Sequence, residues 1–321
     1  MKTNLTSASG VLLRGLAARV VSIIALCVLV PSVAAQTDQT NAAPIVRFDA
    51  GDVVGEQFAE AVVESVHPLE DHVSMGGDRG TGPGALHSNL QTYLNSNFIN
   101  GGASGSGAAA ITKLIAGHLF LASTGSANRI KFAIVNTLGT QCTFRPRVRF
   151  YQTNGTGGGP GTLFGAITFV PVSVPGNTLV VFFADIPAIT FSNECWAGMT
   201  FDAGGTGSPT ATIAQLNGLG MGLFSPATVG DINGQMFRTS SAGSFESNNP
   251  AGSTSSNAGT AGWEIRNTAG ACCFSYQSCQ TLTEVECLTA GGNFRGGGSS
   301  CATACLVAAN FLNATPPAGY Y

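Results

Sequence analysis

Residues 143–172 read TFRPRVRFYQTNGTGGGPGTLFGAITFVPV. Two runs rich in Val, Phe, Ile and Thr, 143–152 and 162–172, flank the loop NGTGGGPGT (154–162), which holds five glycines and one proline. Such runs mark strands, and Gly and Pro mark the turn between them. In the first run Phe144, Val148 and Phe150 share one face, and Arg145, Arg147 and Arg149 share the other, because side chains alternate along a strand. The loop lacks the lysine and the following helix that a phosphate-cradling loop requires. It reads as a long hairpin tip.

The same pattern recurs at 117–124, 129–136, 177–184, 195–202, 209–214, 235–239 and 261–266. Short strands without intervening helices predict an all-β fold, an antiparallel β-sandwich of jelly-roll-like or immunoglobulin-like type. A closed barrel has the same spacing. Residues 56–66, EQFAEAVVESV, fit either a helix or an early strand, and the glycine-rich residues 74–110 read as loops.

The N-terminus predicts export. Lys2, Arg14 and Arg19 precede the apolar run Val20–Val30, and PSVAAQ follows with Val33 and Ala35 at the small-residue positions. This is the three-part secretory signal pattern, and an eleven-residue run is short of the roughly 20 needed to span a bilayer. Cleavage after Ala35 leaves 321 − 35 = 286 residues, with 14 − 3 = 11 basic against 17 acidic groups. That balance excludes a general nucleic-acid binder, which needs a basic footprint. The expected organisation is a signal peptide (1–35), a flexible leader (36–44), a β-sandwich (45–268), a Cys-rich module (269–308) and a tail (309–321). No transmembrane segment is expected in the mature chain.

Nine cysteines are present, and Cys27 leaves with the signal. Cys142 is in phase with Phe144, Val148 and Phe150; Cys195 is in phase with Ala197, Met199 and Phe201. Both therefore face the core, and a Cys142–Cys195 disulfide is expected. The other six, Cys272, Cys273, Cys279, Cys287, Cys301 and Cys305, have the spacing CC-x5-C-x7-C-x13-C-x3-C. Zinc sites favour paired knuckles with histidine or cysteine partners, whereas all four histidines lie upstream of residue 120. In an oxidising compartment such a cluster becomes disulfides, in a connectivity that spacing leaves open. Thr281 and Glu284 form a capping-box pattern, which places Cys287 on a short helix ended by Gly291 and Gly292. Adjacent Cys272 and Cys273 are expected to reach different partners.

GACC, then TEVEC, AGGNF and the final cysteine pair resemble a short Cys-rich motif of secreted proteins from planctomycete-type bacteria. VRFYQTNGTGGGPGTLFGAITF and CWAGMTFD are similar to the β-domain of such proteins. The resemblance implies export and carries no catalytic residue onto this chain.

Candidate sites are sparse. The Arg145, Arg147 and Arg149 row is a local basic exception that suits carboxylate or sulfate groups on a polysaccharide, or acids on a neighbouring strand. Trp196 alternates with polar Glu194, Gly198 and Thr200, so it faces away from the core. There it either stacks on a sugar ring or is covered by a loop or by the Cys-rich module. HPLEDHVSMGGDRGTGPGALH (67–87) brings His67, Asp71 and His72 close in sequence as metal candidates, although a solvated loop has the same look. GDINGQ (230–235) opens like a calcium loop at Asp231 but lacks its remaining ligands, and Asn233-Gly234 fits a tight turn. Imidazole and carboxylate together suit zinc or calcium at 67–87; no resident cofactor is expected, and calcium is the candidate retained. Neither G-x-S-x-G nor H-E-x-x-H occurs. The expected function is an exported, non-catalytic protein that binds or builds at the cell exterior, with polysaccharide or an envelope protein as partner. A secreted hydrolase using Asp71 or His72 and a structural matrix subunit are the alternatives.

Overall fold

A computed structural model describes residues 55, 57–69, 84–203, 211–239, 245–247, 259–274 and 278–305. The expected signal peptide, leader and tail, and the candidate residues Asp71 and His72, lie outside the described residues. Those described belong to one unit, Ala42–Tyr321.

The first strands are β1 (Gln57–Ala59), β2 (Val62–Pro68), β3 (Ala85–Ser88), β4 (Tyr93–Ile99), β5 (Ala103–Ser104) and β6 (Ile111–Thr112). Then come β7 (Ile115–Phe120), β8 (Gly125–Asn136), β9 (Cys142–Tyr151), β10 (Leu163–Phe169), β11 (Val172–Val174), β12 (Thr178–Phe191) and β13 (Glu194–Asp202). Helix α1 (Ile213–Asn217) precedes β14 (Leu219–Phe224), β15 (Asp231–Thr239), β16 (Phe245–Ser247), β17 (Thr260–Ala261) and β18 (Trp263–Arg266). The last segment holds β19 (Ala269–Cys273), β20 (Cys279–Thr283), α2 (Glu284–Thr289), β21 (Asn293–Gly297) and α3 (Cys301–Ala304).

The architecture is a β-sandwich with a small disulfide-rich module. One sheet runs β1-β10-β9-β13-β7-β15-β16, with β11 on β9 and β6 carrying β5 onto β13. The other runs β17-β14-β8-β12-β2, with β18 joining β8 to β3 and β4 paired to β14. Among the described strands pairing is antiparallel, except that β1 lies parallel to β10. Alternation builds the core between the sheets. Phe144, Val148 and Phe150 of β9 and Met199 and Phe201 of β13 point inward from one sheet; Ile130, Phe132, Val180 and Phe182 point inward from the other. Rings meet there: Phe132 lies 5.3 Å from Phe169 and Trp263 6.0 Å from Phe150, centroid to centroid. Each such buried side chain stabilises by roughly 1.5–3 kcal/mol, so this layer holds the sandwich.

Of the two readings of residues 56–66 the strand holds: β1 and β2 belong to different sheets, with Ala59 and Ala61 packed on the core between them. Other local expectations change. Ile213 and Ala214, expected in a strand, open helix α1, where Thr212 Oγ1 accepts from Gln215 N and Gln215 Oε1 accepts from Thr212 N. That capping box supplies the orphan N–H groups that an extended run would have left to a strand partner. Strands β3–β5 lie within residues expected to be loops; β3 and β4 escaped because their partners, β18 and β14, are distant in sequence.

The expected Cys142–Cys195 bridge does not form; both are buried free thiols. Alternation placed both in the core, where neither has any exposure. Register separates them: β9 and β13 pair Tyr151 with Trp196 and Arg145 with Asp202, so Cys195 lies at one end of the pair and Cys142 beyond the other. Ten residues of strand at about 3.3 Å each span roughly 33 Å, whereas a disulfide needs Cα atoms within about 7 Å.

The module is a sheet ordered β20-β19-β21 with disulfides Cys272–Cys287, Cys273–Cys305 and Cys279–Cys301. Cys272 and Cys273 reach different partners because successive residues of β19 face opposite ways. The capping box sits at Thr283 and Glu286, two residues later than expected. Thr281 is held in β20 opposite Ala271. Gly291, with φ of 73°, follows the helix end.

Candidate binding groove

The arginine row is not an open surface. Arg145 and Arg147 are buried, and Arg149 is half-buried. Arg147 Nη2 lies 2.6 Å and Nε 2.7 Å from Asp202 Oδ2, and Arg145 is the register partner of that aspartate. Arg147 is thus matched to an acid on the neighbouring strand, one of the two readings the alternation left open.

Trp196 does face away from the core, as alternation required, but it is fully buried. The glycine-rich loop covers it: the indole Nε1–H donates to the Gly158 carbonyl at 3.0 Å. His118 stacks on the ring at 4.5 Å, and Phe237 meets it edge-on at 4.9 Å. The His118 Nδ1 accepts from Asn233 Nδ2 at 3.0 Å, and Nε2 faces Glu194 Oε2 at 3.2 Å. Burial lowers the His118 pKa, opposed by Glu194. With both ring nitrogens committed, His118 organises this cluster and offers no free base. Sequence reading missed His118, whose only signal was an isolated histidine in a strand.

His67 lies on β2 with its Nε2 3.0 Å from Ser65 Oγ. Asp231 begins β15 and accepts the Ile232 N–H at 2.7 Å. Asn233-Gly234 is a bulge inside that strand, with Gly234 at φ 70°, and not a hairpin turn. Among the described residues only Cys273, Cys279 and Cys305 form a group of three or more His, Cys, Asp or Glu with metal-ligand spacing. Two of them are joined as a disulfide. Neither His67 nor Asp231 belongs to such a group.

A groove of about 860 Å³ opens where the sandwich meets the module. Arg129, Asp185 and Arg266 line it from the sandwich; Glu284, Val285, Phe294 and Arg295 line it from the module. Arg129 and Asp185 stand opposite each other on β8 and β12 and form a two-pronged pair at 2.6 and 2.8 Å. Arg266 Nε donates at 2.9 Å to Glu264, a carboxylate with no solvent exposure, which Lys131 Nζ also approaches at 3.7 Å. Arg295 differs. It is exposed, and its Nε contacts the Cys273 sulfur at 3.5 Å. It meets no carboxylate and, Nε apart, makes no side-chain hydrogen bond among the described residues.

The junction is fixed by hydrogen bonds. Asn128 Oδ1 accepts from the Thr268 backbone N–H at 2.7 Å and from its hydroxyl at 3.0 Å. Asn267 N donates to the Gly84 carbonyl at 2.8 Å. Gly84 has φ of 81°, and a Cβ there would lie 2.1 Å from the Asn267 oxygen and 2.7 Å from the Gly297 carbonyl carbon of the module, so only glycine lets the two parts come this close. Beside the groove, α2 exposes Val285. The groove arginines are dispersed singly along the sequence, which hid them. One signal existed: Arg295 is the only basic residue between 269 and 305.

No protein-family profile, curated protein or solved structure matches the chain.

Proposed function

We propose that this is an exported, non-catalytic β-sandwich protein that binds acidic polysaccharide at the cell exterior, through the groove between sandwich and module. The observation that carries the reading is Arg295, an exposed guanidinium without a carboxylate partner among the described residues, set in a groove beside Arg266 and Arg129. Guanidinium recognises carboxylate and sulfate through paired, charge-assisted hydrogen bonds. Phe294 and Val285 add apolar wall against which the C–H face of a sugar ring can lie. Three disulfides fit an oxidising compartment, in line with the signal pattern at residues 1–35. No helix among the described residues is long and apolar enough to cross a membrane.

The test is retention on an immobilised polyuronate. Retention is expected at low salt, declining as salt screens the contact. Arg295→Gln should weaken it at least about tenfold, since a hydrogen bond to a charged group contributes about 1.5–3 kcal/mol. Arg149→Gln should leave it unchanged. Loss with Arg149→Gln but not with Arg295→Gln overturns the groove as the site. Release of new reducing ends during incubation would replace binding with hydrolysis.

A further inference from the structure

We infer that the groove continues into an uncharged second subsite, and that its ligand is a copolymer in which an acidic sugar alternates with a neutral one. This rests on the reading of the groove as a glycan site and names the glycan class. A second cavity of about 400 Å³ adjoins the first, and the two share Arg295 and Gly297 in their walls. Its volume falls within the roughly 300–1,000 Å³ of small-molecule sites. The two cavities differ in chemistry. The first is lined by charged groups, the guanidiniums of Arg129, Arg266 and Arg295 and the carboxylates of Asp185 and Glu284, with Arg129 held by Asp185 and Arg266 by Glu264. The second is walled by Ser123, Thr124, Ser126, Asn267 and Ser299, and Arg295 at its edge is its only charged residue.

The hydroxyls of Ser123, Thr124 and Ser126 make no hydrogen bond to the described residues. Each offers one donor and two acceptor positions, which suits the hydroxyls or amide of a neutral sugar. A second carboxylate placed there would find no cation other than the one already engaged at the boundary. Ser299 is spent differently: its Oγ accepts the Ala271 N–H at 2.8 Å and donates to the Gly296 carbonyl, so it shapes the wall. Arg295 at the seam sets the register, with the acidic sugar on its Arg266 side and the neutral neighbour on its serine side.

Calorimetry with soluble tetrasaccharides tests this. The probes are an alternating glucuronate–N-acetylglucosamine tetramer, a galacturonate tetramer and free glucuronate. The alternating tetramer should bind about tenfold tighter than the galacturonate tetramer, a difference of about 1.4 kcal/mol, and free glucuronate weaker than both. Ser123→Arg places a cation in the second cavity and should shift the preference toward galacturonate. Equal or tighter binding of galacturonate by the unmodified chain overturns the neutral subsite, as does free glucuronate binding as tightly as the tetramers. If Arg295→Gln still weakens binding in that case, the groove stands without its second subsite. If no oligosaccharide binds, or Arg295→Gln changes nothing, the groove reading itself falls.

Discussion

His87 stands on β3 with no solvent exposure. Its Nδ1 donates to the Phe120 carbonyl at 3.0 Å, which leaves Nε2 as the unprotonated nitrogen, buried and without a hydrogen-bond partner. Burial lowers its pKa from 6.5 to about 4, against the opposing pull of the Phe120 carbonyl and Asp231. The folded chain therefore keeps this ring neutral where the unfolded chain would protonate it. Between those two pKa values the unfolded state binds more protons, so stability is intact above pH 6.5 and falls as pH drops toward 4. A shift of this size corresponds to about 3 kcal/mol. Denaturant titrations from pH 7 to pH 4 should show a steeper loss for the native chain than for His87→Gln, which has nothing to protonate. Parallel slopes would place the acid sensitivity elsewhere.

At the scale of elements, the loop between β9 and β10 is the cover of Trp196. Gly155 shapes it by crowding: a Cβ there would lie 2.2 Å from the Pro160 carbonyl oxygen. Asn154 ties its ends together, with Oδ1 accepting the Thr162 N–H at 2.8 Å. Gly155→Ala must displace the loop and with it the Gly158 carbonyl that holds the indole. The expected result is a loss of about 1–3 kcal/mol, the usual cost of overpacking, with a rise in acrylamide quenching of tryptophan emission. Unchanged quenching would mean that the loop does not shield the ring. The same elements show what a sequence makes legible. Period-two alternation is local, so Phe144, Cys142, Cys195 and Trp196 were each assigned to the correct face. Position along the sheet is not local: the β9–β13 register, which keeps Cys142 from Cys195, is set by every pair between the two strands. What lies over a face is not local either. Alternation turns Arg147 and Trp196 outward, which is true, but leaves open whether a ligand or the protein itself lies over them; the facing Asp202 and the folded-over loop decide for the protein. The capping box slipped for a related reason. TLTEVE holds two overlapping T-x-x-E patterns, and pairing of Thr281 with Ala271 decides between them.

For the whole molecule, the proposed groove is walled by two parts of unlike construction. The sandwich carries a large apolar core and both tryptophans, Trp196 and Trp263. The module is too small to bury comparable surface and depends on its three bridges. The Cys272–Cys287 bridge spans a sequence separation of 15, and closing such a loop stabilises by about 3 kcal/mol. Yet the module supplies Arg295, Phe294 and Val285, one whole wall of the groove. Reduction should therefore separate the two parts. A dithiol that opens all three bridges is expected to leave tryptophan emission and most β-structure intact while abolishing retention on polyuronate. Reoxidation to the same pairings should restore retention. If the chain still binds with all six module cysteines alkylated after reduction, the wall carrying Arg295 is dispensable and the ligand is held by the sandwich alone. If tryptophan emission collapses together with binding, the sandwich leans on the module for its own stability, and the seam at Asn128 and Thr268 becomes a folding contact as well as the floor of a site.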